Sequence, residues 1–186
     1  MINRGAPGPS GPPRAPNTTD PPADTFRGRK MKRTLTRWAV HSTLRALAFI
    51  ARRPALEPAS NTVTRTLASM VVRTKRIHRT ERLPDLGPLW QRSFPSPRQV
   101  PIESVSDDTV YARILTPCPL RGTGDVHACH RMMEFDREVL RRAGGQFVVL
   151  QSQAEPGVTS CRVALRLLGQ AIDDLTPAHE RFRPRG

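Results

Sequence analysis

The chain has 186 residues, 37% of them hydrophobic and 5% aromatic, and a formal net charge of +14. Residues 1–82 carry 17 Lys/Arg against 4 Asp/Glu, whereas residues 83–186 carry 13 against 12, so the front is a polycation and the rear is nearly neutral. No stretch reaches the roughly 18–20 continuous apolar residues of a membrane span. The first 25 residues hold Pro and Gly where a secretory signal needs an apolar run, and three cysteines without such a signal read as thiols in a cytoplasmic protein.

Residues 1–26 are rich in Pro, Gly, Ser and Thr and nearly free of large apolar side chains, so they are expected to stay disordered. Residues 27–82 read as a basic helical region. Its first helix, Gly28 to Arg53, has a stripe of Met31, Leu35, Trp38, Ser42, Ala46 and Phe49, and Pro54 ends it. The second is expected from Asn61, a good N-cap, to about His78, with Val63, Leu67, Met70, Val71, Thr74 and Ile77 as its apolar stripe. Prolines at 84, 88, 95 and 97 mark residues 83–98 as an extended linker.

From 99 the period changes to two, which opens a core over 99–168. Gln99–Val105 and Thr109–Leu115 flank Ser106-Asp107-Asp108 as a hairpin, with Pro101 confining its first strand to an edge. The loop Thr116–Gly124 leads to a helix capped by Asp125, stopped by Gly144-Gly145 and carrying Arg141 and Arg142 in its last turn. A second hairpin follows, Gln146–Gln153 and Val158–Leu168 around Glu155-Pro156-Gly157, and 169–186 reads as a frayed tail. The predicted fold is α+β: an antiparallel sheet of about four strands in two hairpins, packed with the intervening helix and the two N-terminal basic helices.

On one continuous helix, Cys129, Met132, Met133, Asp136, Leu140 and Ala143 share the apolar face, so Asp136 points at the core. Such a carboxylate either accepts backbone N–H groups of the 116–124 loop or serves as general acid/base or substrate anchor. Cys118, between two prolines near a helix N-terminus, suits a nucleophile, or a small side chain closing the loop. Cys161 on the last strand packs or lines the same site. Arg121, Gly122 and Gly124 form either a flexible turn or a seat for a small-molecule carboxylate. His127, His130 and Glu134, at spacings of three and four, are weak metal candidates against a solvated helix face with a His–Glu pair. No metal or other cofactor is assigned. Arg29, Lys30, Lys32 and Arg33, then Arg73, Lys75, Arg76 and Arg79, either remain solvated or neutralise phosphates of nucleic acid or lipid.

The stretch Thr116-Pro-Cys-Pro…Cys129-His130…Asp136…Gly157…Cys161-Arg-Val-Ala-Leu165 resembles the L-2-amino-thiazoline-4-carboxylic acid hydrolase-like family over roughly residues 99–168. The resemblance implies hydrolytic opening of a small cyclic thiazoline or amide-like carboxylic acid, with Cys118, Cys129, Asp136 and Cys161 as the family-like residues. A more distant likeness is to vinyl-reductase-like small-molecule-binding domains, which sense ligands without turning them over. Three readings follow. The first is a hydrolase with Cys118 as nucleophile, Asp136 as general acid/base, and Arg121, Gly122, Gly124, Cys129 and Cys161 around the substrate. The second is a non-catalytic binding or regulatory module of the same fold. The third is a basic protein that binds nucleic acid or a membrane surface through residues 27–82.

Overall fold

The computed structural model describes residues 45–182. The expected disorder of 1–26 and the 28–44 part of the first helix lie outside them. Within the described residues, α1 covers 45–51 and ends before the 3-10 turn Pro54–Leu56. Helix α2 runs Glu57–Thr74 and so starts four residues before the expected Asn61. Pro58 explains the shift: in a helix's first turn its missing N–H has no intrahelical partner to lose. Rotation about its own axis also differs from expectation. Thr64 and Ala68 are buried, while Val63, Leu67 and Met70 face outward. Arg65 Nε donates to Glu134 at 2.7 Å and fixes that rotation.

The segment 83–98 departs most from the sequence reading. Instead of an extended linker, Leu83–Gln91 forms helix α3. Pro84 sits in its first turn, where proline is tolerated, and Pro88 removes one internal hydrogen bond. Against that loss stand the buried side chains of Leu83, Leu86, Leu89 and Trp90, each worth about 1.5–3 kcal/mol on transfer from water. Gly87 lets α3 approach the sheet: a Cβ there would stand 2.6 Å from Ile102 Cδ1.

Four strands follow: β1 Ile102–Val105, β2 Val110–Ile114, β3 Gly145–Gln151 and β4 Cys161–Leu167. They form one antiparallel sheet in the order β1-β2-β4-β3, with Ile114 opposite Cys161 and Val110 opposite Leu165. The two hairpins thus lie side by side and the fold is α+β. The single helix expected from Asp125 to Gly144 is broken. Helix α4, Val126–Met132, and helix α5, Glu134–Ala143, meet at Met133, whose ψ of 7° leaves the helical range. Asp125 caps α4 by accepting the Ala128 N–H at 2.8 Å, and Gly144, at φ +90°, ends α5.

Alternation along the strands gives the sheet two different faces. Val110, Ala112, Ile114, Cys161, Val163 and Leu165 join the helices in the main core. Tyr111, Val148 and Ala164 face the other way, against Ile172 and Leu175. The expected frayed tail is therefore packed up to helix α6, Ala178–Arg181. Arg166, almost wholly buried, binds Asp174 through both guanidinium arms at 2.5 and 2.6 Å and ties that segment down. No described helix is long and apolar enough to cross a membrane.

Candidate functional site

Gln153, fully buried just beyond β3, organises the loop in which Cys118 lies. Its Oε1 accepts the Cys118 N–H at 3.1 Å and the Arg121 Nε–H and Nη2–H at 3.0 and 2.8 Å. Its Nε2 donates to Ile114 O and Thr116 O at 3.2 and 3.0 Å. A glutamine offers two acceptor and two donor directions, and here it spends them on the main chain and one guanidinium. The turn expected to seat a carboxylate is thereby occupied from within. Gly122 N–H donates to Gln153 O and Gly124 N–H to Ala154 O, both at 2.8 Å, and Arg121 Nη2 also donates to Thr159 O at 2.6 Å.

Three sulfurs gather in this region. Strand alternation turns Cys161 to the helical side of the sheet, and α4 lays its buried face, with Cys129, over it. The two thiols hydrogen-bond, and the Gln153 N–H donates to Cys161 Sγ at 3.3 Å. The Cys129 contact holds the Cys161 thiol below its ordinary pKa, while the same contact and burial push Cys129 up. Cys118 is half-buried and near enough to Cys129 for the two to interact electrostatically. Burial raises its pKa despite the Leu120 N–H at 3.4 Å from its sulfur, so at neutral pH it is a thiol rather than the reactive thiolate. Thr116 Oγ1, in the same loop, is the one buried side-chain oxygen or nitrogen among the described residues without a hydrogen-bond partner.

Asp136 is not part of this gathering. Seven residues, about 10 Å of helical rise, already separate it from Cys129, and its carboxylate meets α3, where Trp90 Nε1–H donates to Oδ1 at 2.9 Å. Burial, opposed by that bond, raises its pKa to about 6. Among the described residues, Asp136 and Cys118 have no hydrogen-bond partner in common. The weak metal candidates are engaged with other partners. Glu134 pairs with Arg65 and Arg137 rather than with histidine, at 2.7 and 2.9 Å. The His130 ring stacks 3.8 Å from that of His179 on α6, with His127 6.2 Å from His179. Burial, with help from Arg137 and His179, lowers the His130 pKa to about 4. No group of three described His, Cys, Asp or Glu side chains is placed to hold a metal ion.

Two hollows adjoin these residues. A void of about 10 Å³ lies between Cys129, His130, Ser152, Ala178 and His179, room for a single water-sized molecule. A surface depression of about 420 Å³ is lined by Arg65, Glu134, Arg137, Glu138 and Arg141. Its guanidinium groups are engaged with the two carboxylates.

A different feature dominates the front of the molecule. Nine large apolar side chains are exposed among the described residues, and five of them, Phe49, Leu56, Val63, Leu67 and Met70, fall between 49 and 70. Between 45 and 82 the chain has nine Lys/Arg against two Glu, and all nine basic residues are exposed. Arg53 lies over the Phe49 ring at 4.4 Å.

Sequence reasoning missed Gln153, Trp90, Ser152 and His179. Trp90 had a signal, since Leu83, Leu86 and Trp90 recur at helical spacing, but the prolines masked it. Gln153 had none, because its role depends on two loops brought together by the sheet. No protein family, curated protein or solved structure matches this chain.

Proposed function

We propose that this protein is a non-catalytic interaction module that docks on an anionic lipid surface through α1, the 54–56 turn and α2. The observation that carries the reading is the outward apolar stripe on a cationic element: Val63 and Met70 are each 59% exposed, in line with Leu56 and Leu67. Arg73 lies about a quarter-turn to the side of that stripe at the 100° per residue of an α-helix. An apolar strip with arginines around it matches the boundary between headgroups and acyl chains, where each buried CH₂ gains about 0.8 kcal/mol and each basic residue about 1 kcal/mol near an anionic surface. Nucleic acid is a poorer match. It rewards positive charge and stacking aromatics, and Phe49 is the sole Phe, Tyr or Trp from 45 to 82.

Co-sedimentation of the full chain with phosphatidylglycerol-containing vesicles and with pure phosphatidylcholine vesicles tests the reading. Binding is expected to the anionic vesicles alone, and Leu67→Glu with Met70→Glu should weaken it at least tenfold with an unchanged circular dichroism spectrum. Indifference to both substitutions, or no binding at low salt, removes the proposal.

A second reading, hydrolysis of a small cyclic amide-type carboxylic acid, draws on the nearness of Cys118, Arg121, Cys129 and Cys161 and on the unpartnered Thr116 hydroxyl. It makes turnover depend on Cys118, whereas Asp136→Asn leaves turnover intact. Ring-opening assays on the two variants decide it.

A further inference from the structure

The buried thiols have no part in docking on a surface. We propose that Cys129 and Cys161 form a redox site, which a small hydroperoxide converts reversibly into a disulfide. The geometry supplies a nucleophile, a resolving partner and a gated approach. Cys161 Sγ accepts the Gln153 N–H at 3.3 Å and interacts directly with the Cys129 thiol, so negative charge on this sulfur is met by donors. Both cysteines are fully buried free thiols, and the contact between them puts a resolving sulfur beside the attacking one. Cys129 is the sulfur of the pair that lines the void of about 10 Å³, together with Ala178 and His179 of α6. That helix has only four residues, and Arg181 Nη2 latches it to Glu155 at 3.1 Å. A helix this short gains little stability of its own and depends on its packing and that latch, and such elements open far below the free energy of global unfolding.

The steps balance. One sulfur of the pair, as the thiolate, attacks one peroxide oxygen, the O–O bond breaks, and the leaving hydroxide takes up a proton to become water, leaving a sulfenic acid. The partner sulfur then attacks the sulfenic sulfur. An S–S bond forms, the S–O bond breaks, and hydroxide leaves with the partner thiol's proton as a second water. Both thiols are oxidised and the peroxide is the reduced partner. Cys118 is the most exposed of the three, but its sulfur accepts the Leu120 N–H rather than pairing with a second thiol, as Cys129 and Cys161 do with each other.

The test treats the reduced full-length chain with stoichiometric hydrogen peroxide, alkylates it after unfolding, and maps the peptides by mass spectrometry. A Cys129–Cys161 cross-link that dithiothreitol reverses, with Cys118 alkylated, is the expected product. Cys118→Ser should leave the cross-link in place, and Arg181→Ala, which frees the α6 latch, should speed its formation several-fold. A cross-link through Cys118, or over-oxidised Cys118 with Cys129 and Cys161 still alkylated, overturns the proposal. The wild-type peptide map alone distinguishes these outcomes, even where a substitution impairs folding, and vesicle binding does not enter it.

Discussion

The carboxyl of Asp136 is buried against a tryptophan N–H, and its charged form is penalised: its pKa is about 6 in the fold against 3.8 in the open chain. A raised carboxyl pKa means that the protonated form is the one the fold prefers. Its contribution is fully present below pH 3.8 and is lost as pH rises through about 6, a swing of about 3 kcal/mol. Asp136→Asn keeps an acceptor for Trp90 without the charge. It should raise the urea midpoint at pH 8 relative to wild type, and the gap should close as pH falls towards 4. A variant less stable than wild type at pH 8 would show that the charged carboxylate is wanted there. This residue was legible in part. Its place on the buried face of the 125–144 segment followed from periodicity, but its partner did not, because Trp90 comes from a proline-rich stretch 46 residues away.

Among the elements, the joints govern behaviour more than the helices and strands they connect. Gly144 ends α5 at φ +90°, and a Cβ there would stand 2.5 Å from Thr80 O, a backbone atom that cannot swing aside. Gly144→Ala should therefore cost more than the roughly 1–2 kcal/mol of a left-handed non-glycine residue, read as a fall in thermal midpoint. The α4–α6 joint depends on pH instead. Burial, then Arg137, then His179 depress the His130 pKa from 6.5 to about 4, so the fold prefers the neutral ring. That preference stabilises the joint above pH 6.5 and is lost as pH falls through about 4. Amide exchange across 178–182 should accelerate over this window while exchange in β4 does not, which separates the effect from the opposite trend of Asp136. The two hairpins, Asp125 as cap and Gly144 as stop were readable from turn and capping chemistry. The break at Met133 was not, since Met133 is neither a glycine nor a proline. Which side chains meet was not readable either: Cys129 packs on Cys161, while Asp136, about 10 Å further along, meets Trp90.

At the scale of the whole molecule, the division of charge is the strongest feature. The basic region places its exposed arginines beside five outward apolar side chains, and the two respond differently to salt. The Debye length shrinks from about 10 Å at 0.1 M to about 3 Å at 1 M, so charge attraction fades while apolar insertion remains. Binding to anionic vesicles should fall steeply between 50 and 500 mM salt, and Met70→Glu should weaken it at each salt concentration. Association with duplex DNA of nonspecific sequence, by contrast, would lose roughly 10³–10⁵ in affinity between 50 and 200 mM salt with no apolar residue. Retention on DNA beads with that slope, unaltered by Met70→Glu, would point to nucleic acid instead.

Local chemistry settles what neighbours in the chain can settle. The periods of 2 and 3.6, the caps and the turn residues are short-range, and they yielded an α+β protein with two hairpins and a cationic front. Burial, by contrast, is decided by packing between distant segments. The α2 rotation set by Arg65 and Glu134, the docking of Trp90 despite its prolines, the Arg166–Asp174 clasp and the hub made by Gln153 each join residues whose pairing leaves no periodic trace. Only the folded chain could bring the three sulfurs together and set the carboxylate against Trp90, because both depend on contacts between segments far apart in the sequence.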